Sequence, residues 1–177
     1  DFAALMPDGT WSGLYMPSGE HHMHEIALRL RPDLDCVVHT HQSYASALSL
    51  GEQHYDLTPG QAEALGQPVL PIAPYGLPGT KKLHTNVERT LEATGANVVL
   101  LKAHGTIIIA KDPDNARHLG NVLEQVAGQI YDRLVPGGRS PVRTTKRVAT
   151  SRREGGKIHY FDAEDAPVLP DEISRQR

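Results

Sequence analysis

The sequence has little of several features that would point at once to particular classes of protein. Of its 177 residues one is cysteine, Cys36, so no intramolecular disulfide can form and we expect a reducing, cytoplasmic compartment. No apolar run approaches the ~20 residues that span a bilayer, and no signal peptide is visible. We therefore expect no membrane partner. The net charge of −3 provides no global field that would attract nucleic acid.

The length fits one main domain, which we place at residues 1–136, with an extension at 137–177. The chain begins at Asp1 inside a strand-like pattern, which indicates that the N-terminal part of this domain lies upstream. The extension carries seven basic residues and one acid between positions 137 and 157 and then turns acidic. We interpret it as a solvated extension on a neighbouring subunit, because its basic run lacks the interleaved aromatics typical of a nucleic-acid arm.

Alternating strand and helix patterns predict an α/β layered domain. Short loops around the last two strands indicate partly antiparallel pairing, whereas residues 51–67 give no clear element. Cap residues predict helix starts at Ser18, Ser43, Thr80 and Asp112, and Gly95 is typical of a left-handed helix end. The predicted strands cover residues 35–39, 68–72, 97–102 and 106–110.

Three histidines follow apolar strands. His39 and His41 are two residues apart on an extended chain, so their side chains share one face and can bind one metal ion. His104 follows a second strand in the same way. Three neutral imidazoles leave the ion its full charge and open positions for substrate, which is typical of catalytic rather than structural zinc. Zinc is expected, although manganese and cobalt also suit three imidazoles.

A carboxylate and a denser group of histidines lie upstream. Glu20 falls in the first turn of a predicted helix, where the helix dipole favours a carboxylate whatever its function. Its spacing alone leaves a catalytic and a purely structural role equally open. His21, His22 and His24 follow directly, and their helical spacing predicts that they splay apart at the surface or behind the metal ligands.

These motifs together resemble the class II aldolase/adducin family, which includes enzymes of the fuculose-phosphate aldolase and ribulose-phosphate epimerase types. The match covers about residues 1–135, in order and with plausible gaps. The combination is specific to the superfamily and less so to any one activity. The matching segments are Pro17-Ser18-Gly19-Glu20, Arg31-Pro32-Asp33, Val37-Val38-His39-Thr40-His41, Ala73-Pro74-Tyr75-Gly76, Gly79-Thr80 and His104-Gly105.

The resemblance implies a three-layer α/β/α domain with a central mixed, largely antiparallel sheet. It also implies a zinc site formed by His39, His41 and His104, with Glu20 as the acid/base. The activity would be that of a lyase in carbohydrate metabolism: an aldolase that breaks or forms a carbon–carbon bond in a small sugar phosphate or hydroxyketone acid through a zinc-bound enediolate. Such enzymes are typically homotetramers with active sites at subunit interfaces.

The sequence departs from the aldolase pattern at the substrate's anionic end. Two serines usually precede the glutamate and help to hold phosphate, whereas here the positions are Ser18 and Gly19. A non-phosphorylated hydroxy acid or aldehyde is therefore an alternative substrate. Epimerase, decarboxylase or dehydratase chemistry on the same metal is the second hypothesis, with Tyr160 in the tail as proton donor. A non-catalytic adducin-like module is the third, although the adducin branch lacks the metal histidines that are present here.

Overall fold

In the computed structural model the described residues are 3–6, 8–138, 141, 150–154 and 157–161. The chain divides into two compact units, Asp1–Pro141 and Val142–Arg177. The elements of the first unit are β1 (Ala4–Leu5), β2 (Trp11–Ser12), α1 (His21–Leu30), β3 (Cys36–Thr40), α2 (Ser43–Leu48), β4 (His54–Asp56), α3 (Pro59–Leu65), β5 (Val69–Ala73), α4 (Lys81–Thr94), β6 (Val98–Leu101), β7 (Gly105–Ala110) and α5 (Pro113–Leu134).

The central sheet of the first unit has five strands in the order β3-β7-β6-β5-β4. Only β5 and β6 run parallel, and the other three pairs are antiparallel. The predicted mixed, largely antiparallel sheet is thus confirmed. Because β3 and β7 are antiparallel, the end of β3 lies beside the start of β7, with Thr40 opposite Thr106.

The sheet is covered on both faces, which confirms the three-layer arrangement. Alternate residues of β6 enter different cores, because successive side chains of a strand point to opposite faces. Val98 and Leu100 pack with α2, α3 and α5 on one face. Val99 and Leu101 pack with α1 and α4 on the other face. All four of these side chains are fully buried, so β6 is central to both cores.

Two of the four predicted helix caps differ from the structure. Thr80 and Asp112 cap α4 and α5 through their side chains, and Gly95 ends α4 in the left-handed conformation with φ 61°, as predicted. In α1, however, the N-cap is Glu20, and the Ser18 hydroxyl instead accepts a hydrogen bond from the Glu20 N–H. The N-cap of α2 is Gln42 rather than Ser43. The first free N–H groups of α2 donate hydrogen bonds to the Glu124 carboxylate of α5.

Residues 51–67, which the sequence left unassigned, contain β4 and α3. Thr58 and Gln61 form a reciprocal capping box at the start of α3, with Pro59 as the first helical residue. Among the described residues no helix combines the length and the apolar character needed to cross a membrane. The division at residue 136 stays a prediction.

The described residues of the second unit form a β-hairpin. Strands β8 (Thr150–Glu154) and β9 (Lys157–Phe161) pair antiparallel, with Ser151 opposite Tyr160. Most of the basic run at 137–157 lies outside the described residues, as does residue 162 onward.

Candidate metal centre

The topology of the sheet brings the three predicted ligand positions together. His39 lies in β3 and His41 directly follows that strand. His104 lies in the turn that joins β6 to β7, where Leu101 pairs with Gly105. Since β7 is the neighbour of both β3 and β6, this turn and the end of β3 share one edge of the sheet.

The side chains of His39, His41 and His104, which we call the first histidine cluster, converge at that edge. The ring centroids of His39 and His41 lie 4.7 Å apart, and that of His104 lies 4.8 and 5.0 Å from them. The Nε2 atoms of His39 and His41 are 2.9 Å apart. One nitrogen from each ring lies within 4.8 Å of the others, close enough for three imidazoles to hold one metal ion.

A backbone contact fixes the tautomer of His39. Its Nδ1 lies 2.9 Å from the Thr106 carbonyl oxygen, which can only accept a hydrogen bond. The proton therefore sits on Nδ1, and the Nε2 lone pair points toward the other two rings. A histidine that binds a metal commonly donates its second ring N–H in this way.

The Glu20 carboxylate lies over the first cluster. One oxygen is 3.4 Å from Nε2 of His39, and the other is 3.4 Å from Nε2 of His104. Its Oε1 is buried and accepts no hydrogen bond from any described residue. A buried carboxylate oxygen without a donor is costly, and a bound cation is one way to compensate it. Glu20 is thus placed to contact an ion or a substrate held there.

The side chain of His104 is 9% exposed. Burial lowers its pKa, and the nearby His39 and His41 lower it further, while Glu20 acts in the opposite direction. The lowered pKa favours the neutral imidazole, which is the form that binds metals.

Gly105 allows the three rings to meet. A Cβ at this position would lie under 3.0 Å from the His41 ring and from the Thr40 carbonyl oxygen, and 3.2 Å from Cε1 of His39. Any other residue would displace the ligands. Ala103, which directly precedes His104, adopts a positive φ of 54°, a conformation unusual for a residue with a side chain.

The other predicted site residues are Ser18, Gly19 and Tyr160, and the first two lie near Glu20. Ser18 and Gly19 directly precede Glu20, are exposed, and form the approach to the start of α1. A Cβ at Gly79 would lie 3.7 Å from the Gly19 carbonyl oxygen, an ordinary van der Waals contact. Tyr160 belongs to β9 in the second unit, and its side chain lies outside the described residues, so its role stays a prediction.

A group that the sequence did not predict lies beside the first cluster. We call His21, His22 and Glu25 the second histidine cluster. The rings of His21 and His22 are 3.9 Å apart, because His21 is the first residue of α1 and its ring bonds back to Ser18. The expectation that these two side chains splay apart is therefore wrong. The spacing of three between His22 and Glu25 was the available signal, since such residues are neighbours on a helix.

Comparisons with known proteins identify the family of the chain. A family model described as "Class II Aldolase and Adducin N-terminal domain" matches residues 1–131. The chain therefore belongs to the class II aldolase and adducin family, and the resemblance drawn from its motifs is confirmed.

The curated relatives include sugar-phosphate aldolases. The L-fuculose phosphate aldolase of Escherichia coli (strain K12) is 29% identical over 134 residues, which cover 76% of this chain and 61% of that protein. The 5-methylthioribulose-1-phosphate/5-deoxyribulose-1-phosphate aldolase of Rhodospirillum rubrum is 31% identical over 136 residues, covering 74% of this chain and 58% of that protein. The chain thus spans 61% or less of the length of these two relatives.

Solved structures share the fold. An L-fuculose 1-phosphate aldolase superposes with a TM-score of 0.68 at 28% identity, covering 81% of this chain and 66% of that one. YgbL from Klebsiella pneumoniae, for which aldolase, epimerase and decarboxylase activities are named as candidates, superposes with a TM-score of 0.63 at 26% identity. This second superposition covers 73% of this chain and 63% of that one.

Proposed function

We propose that this chain forms the metal-binding part of a class II aldolase that cleaves or forms a carbon–carbon bond in a small sugar phosphate or hydroxyketone acid. The observation that carries the proposal is the convergence of three imidazoles under one carboxylate. His39, His41 and His104 are the proposed metal ligands and Glu20 the proposed acid/base. The curated aldolases to which the chain is similar support the reaction class.

The residues present suit a divalent ion of the zinc type. Imidazole nitrogens bind zinc at about 2.0–2.1 Å, and the first cluster presents three rings at compatible spacing. When bound, the ion would supply a Lewis acid that polarises a carbonyl and stabilises adjacent negative charge. Zinc is the proposed ion, and the same donors accept manganese or cobalt.

The proposed role of Glu20 is to move a proton beside that charge. Its two oxygens lie 3.4 Å from Nε2 of His39 and of His104, so a substrate bound to the same ion would meet the carboxylate directly. The side chain is 22% exposed, which leaves a path for substrate while limiting water. Acid/base groups in such positions contribute about 10²–10⁴-fold to rate.

Ser18 and Gly19 are the proposed contacts for the substrate's anionic end. They precede the start of α1, where the helix dipole favours negative charge. The Ser18 hydroxyl accepts a hydrogen bond from the Glu20 N–H at 3.3 Å and keeps its own proton available to an anion. Either a phosphate or a carboxylate fits this description.

A homotetramer with active sites at subunit interfaces is part of the proposal. Leu14, Tyr15 and Met16, which directly precede Pro17 and Ser18, are 84%, 65% and 77% exposed. Contiguous exposed apolar residues of this kind are typical of protein–protein interfaces. A second subunit covering them would enclose the proposed site. We place the enzyme in the cytoplasm, with neither membrane nor nucleic acid as a partner.

Two variants test the proposal. His104→Ala should lose the zinc bound at the first cluster and aldol cleavage of a panel of ketose 1-phosphates together. Glu20→Gln should keep zinc and lose turnover by at least about 100-fold. A His104→Ala protein with unchanged zinc occupancy at the first cluster would refute the ligand assignment, and a fully active Glu20→Gln protein would refute the acid/base.

Epimerase, decarboxylase or dehydratase chemistry on the same ion is the second candidate, and the similarity to YgbL favours it. Tyr160→Phe separates it from the aldolase. Loss of turnover with intact zinc would support a proton donor in the tail, and unchanged turnover would remove that role. A non-catalytic, adducin-like module would be supported by a protein that is inert toward the whole panel and binds no metal at the first cluster.

A further inference from the structure

The second histidine cluster has the composition and geometry of a metal site of its own. One ligand atom from each of His21, His22 and Glu25 lies within 4.8 Å of the other two. Two imidazoles and a carboxylate are a common donor set for zinc in proteins. None of these three side chains belongs to the first cluster.

The hydrogen bonds of the cluster leave the right atoms available. Nδ1 of His21 lies 2.5 Å from the Ser18 carbonyl oxygen, so this nitrogen carries the proton and Nε2 keeps its lone pair. Nδ1 of His22 and Oε2 of Glu25 lie 2.8 Å apart, so one ion could bind both atoms in place of the proton they share. The ring of His21 is held by the kind of partner that commonly supports a ligating histidine.

A third imidazole lies behind the cluster. His84, in α4, is 8% exposed, and its ring centroid lies 5.3 Å from that of His22. Its Nε2 is buried and has no hydrogen-bond partner among the described residues. Buried polar atoms of this kind nearly always have a partner, and a nearby cation would provide one.

The surrounding charge favours a cation over an anion. Glu25 belongs to the cluster and Glu20 directly precedes it, and both act electrostatically on His84. The group therefore offers imidazole nitrogens beside carboxylates, which are donors suited to zinc-type ions.

We propose that His21, His22 and Glu25 form a second site for a zinc-type divalent ion, with His84 as a third imidazole beside it. The three donors lie in the first two turns of α1, and His84 lies in α4. An ion bound there would hold the start of α1 in one shape, and with it the backbone of Glu20. The proposal does not require the first cluster to bind metal or the chain to be an aldolase.

Zinc stoichiometry tests the proposal. The full chain is stripped with EDTA and titrated with zinc against a chromophoric zinc indicator. The unmodified protein should bind two equivalents and His22→Ala one, with the affinity for the lost equivalent reduced more than about 100-fold, since a direct ligand should matter more than the groups behind it. Because the His22 side chain is 53% exposed, its replacement should not impair folding.

Matched variants separate this site from the first cluster. His118→Ala removes an exposed histidine of α5 and should still bind two equivalents. His104→Ala should keep the second site and lose the first, and the double variant His22→Ala/His104→Ala should lose both. The second equivalent should also raise the thermal midpoint of the unmodified protein but not that of His22→Ala.

Two results would overturn the second site: a single equivalent in the unmodified protein that His104→Ala abolishes, or two equivalents in His22→Ala. If instead His104→Ala bound as much zinc as the unmodified protein while His22→Ala lost one equivalent, the second site would stand. The ligand assignment of the proposed function would then fail.

Discussion

The two histidine clusters lie side by side but are supported in different ways. His39 and His104 are set by the backbone of neighbouring strands, and the Thr106 carbonyl fixes one ring. His22 and Glu25 stand on the first turns of α1, with side chains 53% and 43% exposed. The first cluster is thus preorganised by the sheet, whereas the second is formed by partly exposed side chains of a single helix. Preorganisation lowers the entropy lost on binding, so we expect the first cluster to bind zinc more tightly.

Gly105→Ala should have the largest effect on this difference, because it should lower the zinc affinity of the first cluster. The new Cβ would overlap the His41 ring and the Thr40 carbonyl, so the ligands of the first cluster must move. We expect its zinc affinity to fall at least about 100-fold, and overpacking to cost about 1–3 kcal/mol of unfolding free energy. Competition titration and urea unfolding measure the two effects.

Gly120→Ala is the matched control for that variant. Gly120 is also buried, but a Cβ there would have ordinary contacts at 3.6 Å and beyond, and Gly120 lies inside α5 where alanine suits the helix. It should leave both affinities unchanged. Equal loss of affinity at the two clusters in Gly105→Ala would show that they are not independently supported.

Glu124→Ala should have a smaller effect, transmitted through the backbone. The Glu124 carboxylate accepts hydrogen bonds from the Tyr44 and Ala45 N–H groups at the start of α2, just after His41. Losing these charge-assisted bonds should cost about 2 kcal/mol and weaken zinc binding at the first cluster about tenfold. Gln125→Ala, an exposed neighbour on the same helix, is the control. An effect confined to the second cluster would contradict this positioning role.

Acid should lower the free energy of unfolding of the metal-free protein, through one histidine of the first cluster and one beside the second. The pKa of His104 and that of His84 are lowered, mainly by burial. Below the ordinary histidine pKa of about 6.5, the unfolded chain therefore binds these protons more readily than the folded chain. The free energy of unfolding should then decrease as pH falls from 6.5 toward 5. Urea midpoints in EDTA at several pH values measure it, and a midpoint that rises on acidification would contradict the expectation.

Ala103→Gly should give the smallest effect. Ala103 holds a positive φ of 54° immediately before His104, and glycine adopts this conformation without a steric penalty. Relief of that penalty opposes the greater flexibility of an unfolded glycine chain, so we expect a change within about 1 kcal/mol. Zinc affinity at the first cluster should stay within a few-fold. A large loss would show that the side chain of Ala103 itself helps to place His104.

The sequence predicted what depends on local pattern. The strand periodicity placed His39 and His41 on one face, and Thr80, Gly95 and Asp112 marked helix ends through their own side chains or backbone freedom. The class II aldolase resemblance also gave the layer arrangement, because it rests on several motifs in order. The close approach of His104 follows from the pairing of β7 with both β3 and β6, which spacing alone did not establish.

What the sequence missed depends on contacts between distant residues. The N-cap of α2 is Gln42, and the N–H groups that follow it donate to Glu124, some eighty residues downstream. The local pattern favoured Ser43 as the cap, and that prediction is wrong. The second histidine cluster escaped prediction because His21 turns back at the helix start and His84 comes from α4. The spacing of His22 and Glu25 was the one local signal, and it does not reveal the turn of His21 or the approach of His84.

The coordination shell of the first zinc equivalent tests the central claim most directly. X-ray absorption on the protein loaded with one equivalent should show three imidazoles, with nitrogen at about 2.0–2.1 Å and the remaining positions filled by oxygen. His104→Ala at the same loading should no longer show that three-imidazole shell. A sulfur shell at about 2.3 Å from Cys36, or an unmodified protein whose shell contains fewer than three imidazoles, would contradict the account.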